Sequence, residues 1–87
     1  YNYPNPVYDS QTFIRYYVSE ESRINIKIFD LAGGFVAELN DFAPAGIDSE
    51  TVWDVSNIQS GVYLARLEAV STSGKSESQV IKIAVVK

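Results

Sequence analysis

The chain has 87 residues, of which 46% are hydrophobic and 13% aromatic, and a net charge of −4. This predicts one folded domain over residues 1–87 with a modest core and excludes a disordered acidic tail. Its seven basic residues form no cluster among eleven acidic ones, which predicts no nucleic-acid partner. No run reaches the ~18 apolar residues of a transmembrane segment. The lack of cysteine and histidine removes disulfides, thiol nucleophiles and the commonest general base.

The chain begins with a stiff, extended segment. Pro4 and Pro6 each fix their own φ near about −65° and restrict the residue before them to extended geometry. We therefore expect residues 1–8 to be a linker and lead-in to the first strand, attached to the edge of a sheet. The lack of methionine, including an initiator, indicates a piece of a longer polypeptide.

Two segments with period-two alternation follow, at residues 12–19 and 23–29. Each predicts a strand with one buried and one solvated face. The predicted buried positions are Ile14, Tyr16, Val18, Ile24, Ile26 and Ile28.

A turn and a third strand come next. Asp30 and Gly33 suit the first and fourth positions of a type I turn, which predicts a hairpin with a strand at residues 35–39. The odd spacing of Val36 and Leu39 requires a bulge or a bend in that strand.

The middle of the chain is predicted to contain more loop than strand. Proline, glycine, asparagine and aspartate predict a loop at residues 40–49, followed by a short strand at residues 50–53. Trp53 is expected in the core, and Asp54 is expected to cap the turn after it, because these are the usual roles of the two residue types. Residues 55–60 are predicted to form another loop.

Two further alternating segments complete the chain, at residues 61–69 and 79–87, with a polar loop at residues 71–78 around Gly74. Six or seven short strands without a helix predict an all-β fold, an antiparallel β-sandwich. The predicted buried positions of the last two strands are Tyr63, Ala65, Leu67, Ala69, Ile81, Ile83 and Val85.

The sequence gives little support for a catalytic or metal-binding site. Four acidic residues offer oxygens to a calcium ion but lack the ordered spacing of a calcium loop; they are Asp41, Asp48, Glu50 and Asp54. No two carboxylates can be identified from the sequence as the pair that a glycosidase requires. The Trp-Asp dipeptide occurs once, whereas a propeller would repeat it in each blade. We therefore expect no enzyme, no metal and no cofactor.

Six short sequence motifs, taken together and in order, give the chain a resemblance to known domains over essentially its whole length. The chain resembles the type A C-terminal sorting domains of the bacterial type IX secretion system, and it is also similar to the immunoglobulin-like module named after the flagellar hook-capping protein. The motifs are residues 3–6 (YPNP), 12–16 (TFIRY), 24–33 (INIKIFDLAG), 53–54 (WD), 60–63 (SGVY) and 81–83 (IKI).

The resemblance implies an immunoglobulin-like sandwich of about seven strands at the C-terminus of a secreted, often hydrolytic, protein. Its partners would be the N-terminal passenger, the outer-membrane translocon, a shuttle protein and a sortase-like peptidase. The location implied is the medium or the outer-membrane surface of a Gram-negative bacterium, after passage through the periplasm.

The resemblance also assigns candidate residues. The recognition elements fall on Pro4, Pro6, Gly61, Tyr63, Lys82 and Lys87, and the turn and core elements on Asp30, Gly33, Trp53 and Asp54. Gly61 and Tyr63 also fit purely structural roles, as a strand entry and a core anchor. The final strand is the better recognition candidate, because a terminal strand can pair with the edge of a receptor.

Two alternative functions remain open. The loop predicted at residues 40–49 is typical of the hook-cap modules, some of which are spacers in multidomain hydrolases, whereas residues 57–63 are closer to the sorting form. A carbohydrate-binding module is the other alternative, since aromatic faces stack on sugars. Its candidate residues are Tyr1, Tyr8 and Tyr17.

Overall fold

Two antiparallel sheets form a sandwich in the computed structural model, which describes residues 1–3 and 10–86. One sheet has the order β1-β2-β5 and the other the order β4-β3-β6-β7. The described residues contain no helix, so the predicted all-β sandwich is confirmed. The strands are β1 (Asn2–Tyr3), β2 (Gln11–Tyr17), β3 (Ser22–Asp30), β4 (Phe35–Ala43), β5 (Asp48–Asp54), β6 (Gly61–Ser71) and β7 (Ser76–Val85).

The core lies between the two sheets and consists of the alternating apolar positions. Each face predicted as buried in β2, β3, β6 and β7 is buried, and Ala43, Trp53 and Val55 complete the core. One side chain in two therefore points inward along β2, β3 and β6, as period two requires. The isoleucines Ile14, Ile26, Ile28 and Ile83 are fully buried.

The predicted hairpin between β3 and β4 is confirmed, and so is its irregularity. Ile28 pairs with Ala37 but Phe29 pairs with Phe35, so Val36 is the extra residue of a β-bulge. Val36 packs against the core, which explains the odd apolar spacing in the sequence.

The predicted loop at residues 40–49 is wrong at both ends, because residues 40–43 belong to β4 and residues 48–49 belong to β5. β4 continues to Ala43, because its polar residues pair with β3 along the whole ladder. The amide of Asn25 donates to Glu38 Oε2 at 2.8 Å and to Asn40 Oδ1 at 3.0 Å. Only residues 44–47 connect β4 to β5.

The predicted polar loop at residues 71–78 is also too long. β6 extends to Ser71 and β7 begins at Ser76, so the turn consists of residues 72–75. The exposed residues Ser76, Glu77 and Ser78 belong to β7 because they pair with Val70, Ala69 and Glu68 of β6 across the hairpin. Composition predicted a loop here, but an exposed hairpin end accepts polar residues on both faces.

The start of the chain belongs to the three-stranded sheet. Asn2 pairs with Ile14 and Tyr3 with Phe13, so the expected lead-in already contains a short strand. Pro4, Pro6 and Tyr8 lie outside the described residues, and so does Lys87. In the described ranges, no helix is long and apolar enough to cross a membrane.

Candidate recognition surface

Several of the residues singled out in the sequence meet at one end of the four-stranded sheet. Tyr63 of β6 pairs with Asp30 of β3 on one side and with Ile83 of β7 on the other. Gly61 pairs with Val85 in the last row of the same hairpin. Segments distant in sequence thus lie side by side here because β6 is central in the sheet.

Tyr63 joins the two sheets at this end. Its ring meets that of Trp53 edge to face, with centroids 5.7 Å apart and an interplanar angle of 76°. Its hydroxyl donates to the backbone oxygen of Gln59 at 2.6 Å, which holds the loop between β5 and β6. Both rings are buried, so the core roles expected for Trp53 and Tyr63 are confirmed.

Gly61 is not required by packing. A Cβ added there would lie 3.7 Å from the nearest ring atoms of Tyr63, which is an ordinary van der Waals separation. Its φ is not in the positive region, where the glycines are Gly33, Gly46 and Gly74. A larger side chain is therefore compatible with the strand at this position.

The turn between β3 and β4 is held by one carboxylate. Asp30 Oδ1 accepts from the backbone N–H of Ala32 at 3.0 Å and from that of Gly34 at 2.7 Å. The N–H of Gly33 donates to the backbone oxygen of Asp30 at 3.1 Å, and Gly33 has a φ of 87°. The expected turn roles of Asp30 and Gly33 are confirmed.

Three of the four acidic residues considered for calcium have separate partners. Asp54 Oδ1 accepts from the N–H of Ser56 at 2.9 Å, which is the predicted cap. Glu50 forms an exposed ion pair with Arg15 at 3.1 Å, and Asp41 accepts from Thr51. Within the described part of the chain, no group of three or more acidic residues is placed to hold a metal ion.

A hydrogen-bond chain that is buried at Tyr16 and Thr51 and reaches the exposed Asp41 links the two sheets at the opposite edge, and sequence reasoning missed it. Thr51 Oγ1 donates to Asp41 Oδ2 at 2.8 Å, so the 2.7 Å contact with Tyr16 is one in which the tyrosine hydroxyl donates to Thr51 Oγ1. Burial raises the pKa of Tyr16 above its ordinary value of 10.0, and the negative charge of Asp41 adds to this rise. The sequence feature that could have indicated this chain is Thr51, a polar residue at a buried position of β5.

The outer face of β7 and Val86, the residue after the strand, form a stripe of apolar side chains around one lysine. Along the strand, every second side chain from Val80 points away from the core, and Val80 is 63% exposed. Leu64 of β6 lies opposite Lys82, at the middle of the stripe. We call this set the terminal stripe; its members are Val80, Lys82, Ala84 and Val86.

A groove lies between the edges of the two sheets, where β1 and β7 are the outermost described strands. It has a volume of about 310 Å³. A side-chain hydrogen bond with Tyr1 and the charge of Glu50 raise the pKa of Arg15, so its guanidinium stays charged. The lining residues are Tyr1, Arg15, Tyr16, Tyr17, Asp48 and Gln79.

Comparisons with known proteins agree with this architecture. The family model described as a secretion system C-terminal sorting domain matches residues 2–83. The crystal structure of dimeric latent PorU from Porphyromonas gingivalis is similar in fold, with a TM-score of 0.80 and 24% sequence identity. This similarity covers 99% of the present chain but only 9% of the PorU chain. No curated protein matches the chain.

The family match includes every candidate motif that the structure describes. It runs from the start of β1 into β7 and therefore contains the bulged hairpin, the Trp53–Tyr63 pair and the lysine of the terminal stripe. The chain belongs to the family of secretion system C-terminal sorting domains, which are the sorting signals of type IX secretion.

Proposed function

We propose that this domain is the non-catalytic C-terminal address of a longer exported protein, with a secreted hydrolase as its N-terminal passenger. The single observation that carries the proposal is the family match over residues 2–83. In this proposal the type IX translocon passes the protein, a shuttle protein receives it, and a sortase-like peptidase processes it. The passenger would reach the outer-membrane surface or the medium of a Gram-negative bacterium through the periplasm.

We further propose that the terminal stripe is the surface that the secretion machinery binds. Val80 and Val86 are large apolar side chains with 63% and 43% exposure. Apolar side chains exposed around a charge are typical of a surface that a partner covers. A partner that offers apolar side chains and one carboxylate for Lys82 complements this stripe.

The remaining recognition candidates stay proposals. Gly61 and Tyr63 pair with the last residues of β7, so they support the strand that carries the stripe. Pro4, Pro6 and Lys87 are proposed to take part at the two ends of the domain.

A secretion assay with point variants tests the proposal. Removal of residues 79–87 would delete Ile81, Ile83 and Val85 from the core and therefore unfold the domain. The better variant is Val80→Glu with Lys82→Glu, because both side chains point outward. A fluorescent passenger with a signal peptide is fused ahead of Tyr1 and expressed in a type IX-competent bacterium.

The matched control is Val70→Glu with Lys75→Glu, which changes the charge equally. Val70 is 45% exposed at the other end of the β6–β7 hairpin. We expect surface or medium fluorescence from the wild type and the control, and periplasmic retention of the stripe variant, with all three melting alike. Equal export of both variants would refute recognition by the stripe, and periplasmic retention of the wild type would refute the address in that host.

A further inference from the structure

We propose that the polypeptide preceding Tyr1 in a passenger-bearing protein continues β1 by at least two residues, along the edge of β2 as far as Tyr17. The inference rests on the proposed function in one respect, because it requires a passenger joined ahead of Tyr1. It goes further by naming the occupant of the groove at this edge.

The backbone pairing at Tyr1 sets the register of the continuation. The N–H of Tyr1 donates to the oxygen of Arg15 at 2.9 Å, and the N–H of Arg15 donates to the oxygen of Tyr1 at 2.6 Å. Such doubly bonded pairs recur at every second residue of an antiparallel ladder. The first residue before Tyr1 therefore falls opposite Tyr16, and the second falls opposite Tyr17 as the next doubly bonded pair.

The backbone N–H and C=O of Tyr17 point to the side of β2 on which β1 lies. The oxygen of Val18 accepts from the N–H of Gly46 at 2.9 Å, on the side of β2 that faces β5, so alternation turns the N–H and C=O of Tyr17 the other way. β1 begins opposite Ile14, and Tyr1 ahead of it is bonded to Arg15. Residues 1–3 and 10–86 place no strand residue opposite Tyr17 on this side.

The groove provides the space in the required direction. Two extended residues span about 6–7 Å and lie about 4.8 Å from the neighbouring strand. Running antiparallel to β2, they enter the groove of about 310 Å³ whose walls include Tyr17 on β2 and Gln79 on β7. A chain terminus that becomes an internal peptide keeps its N–H bond to Arg15 and loses only its charge.

The two added residues would differ in surroundings. Because side chains alternate, the first residue before Tyr1 shares the inner face of Tyr16 and points toward Gln79. The second shares the outer face of Tyr17. A polar or β-branched residue suits the first position, where an amide partner and an aromatic ring are both within the groove.

The continuation has a consequence for processing. A segment held in a sheet is not available as the extended substrate of a peptidase, because its backbone groups are already paired. The accessible part of the linker would begin at the third residue before Tyr1 or farther upstream.

Amide hydrogen exchange on purified protein tests the inference without any secretion step. A small folded passenger is joined to residues 1–87 through a linker ending Thr-Val-Thr, and the exchange of the Tyr17 N–H is compared with that in residues 1–87 alone. We expect exchange of this amide to slow at least tenfold in the fusion, while the N–H of Ile81 is unchanged.

Two proline variants of the linker provide matched controls. Proline at the second position before Tyr1 removes the N–H that would donate to the oxygen of Tyr17 and places its ring against β2, so neither bond of that pair forms. Proline at the first position removes an N–H that points away from β2. We expect only the former to return the Tyr17 amide to its fast rate. Equal Tyr17 rates in the fusion and in residues 1–87, or equal effects of both prolines, would overturn the inference. Because export is measured separately, such a result leaves the address function standing.

Discussion

Trp53 and Tyr63 meet edge to face across the two sheets, 5.7 Å between ring centroids, and the Tyr63 hydroxyl donates to Gln59. One side chain thereby closes the core and anchors a loop. Edge-to-face aromatic pairs add about 0.5–1.5 kcal/mol beyond the area they bury. This pair explains why a tryptophan and a tyrosine from separate segments occur at one end of the molecule.

We expect the two functions of Tyr63 to separate by substitution. Tyr63→Phe keeps the ring contact and loses the hydrogen bond, so the free energy of unfolding should fall by about 0.5–1.5 kcal/mol. Tyr63→Ala leaves a cavity against Trp53 and should cost about 3–5 kcal/mol. Urea unfolding measures both values, and equal losses would contradict the assignment.

We expect Gly61→Ala to separate folding from recognition. The added Cβ has room at 3.7 Å from the Tyr63 ring, so the free energy of unfolding should stay equal or rise by about 0.5 kcal/mol. If export of the fused passenger is lost while thermal unfolding is unchanged, the secretion machinery recognises the domain through Gly61. Unchanged export would show that Gly61 has no recognition role.

The turn after β3 should show coupling between Asp30 and Gly34. A Cβ at Gly34 would lie 2.7 Å from Asp30 Oδ2, so Gly34→Ala must displace the carboxylate that caps the turn. We expect Gly34→Ala to cost about 1–2 kcal/mol alone and clearly less in the Asp30→Ala background. A double-mutant cycle by urea unfolding gives the coupling, and simple additivity would show that the carboxylate moves aside freely.

Stability should fall at alkaline pH because of Tyr16. Its folded pKa is raised by burial, so the folded protein holds the hydroxyl proton more tightly than the unfolded chain does. The contribution is complete below about pH 10 and is lost as the pH rises through the folded pKa. Between pH 9 and 11, we expect the free energy of unfolding to fall less steeply for Tyr16→Phe than for wild type, with the exposed Tyr17→Phe as control. Parallel curves for all three proteins would exclude Tyr16 as the source.

The buried hydrogen bond between Tyr16 and Thr51 should contribute more to the free energy of unfolding than the exposed ion pair between Arg15 and Glu50. Thr51→Val keeps the side-chain volume but leaves the buried Tyr16 hydroxyl without its acceptor, at a cost of about 1–3 kcal/mol. Arg15→Ala breaks the exposed pair with Glu50 and should lower the free energy of unfolding much less, because solvent screens exposed ion pairs. Chemical denaturation gives the free energy of unfolding of both variants. A larger loss for Arg15→Ala than for Thr51→Val would contradict a stabilising role of the Tyr16–Thr51–Asp41 hydrogen-bond chain.

Local pattern determined much of this fold from the sequence by itself. The alternation around Ile26, Leu67 and Ile83 predicted buried faces that the structure confirms. The turn at Asp30 and Gly33 was predictable because turn chemistry depends on neighbouring residues alone. These signals need no knowledge of which strands are neighbours.

Only the tertiary structure decided how the strands combine. The extension of β4 through polar residues depends on its pairing with β3, and the Tyr16–Thr51–Asp41 chain depends on three strands meeting at one edge. The groove beside Tyr1 forms where Tyr17 of β2, Asp48 of β5 and Gln79 of β7 come together. Alternation is a property of each segment, whereas register and edges are properties of strands that meet only in the folded protein.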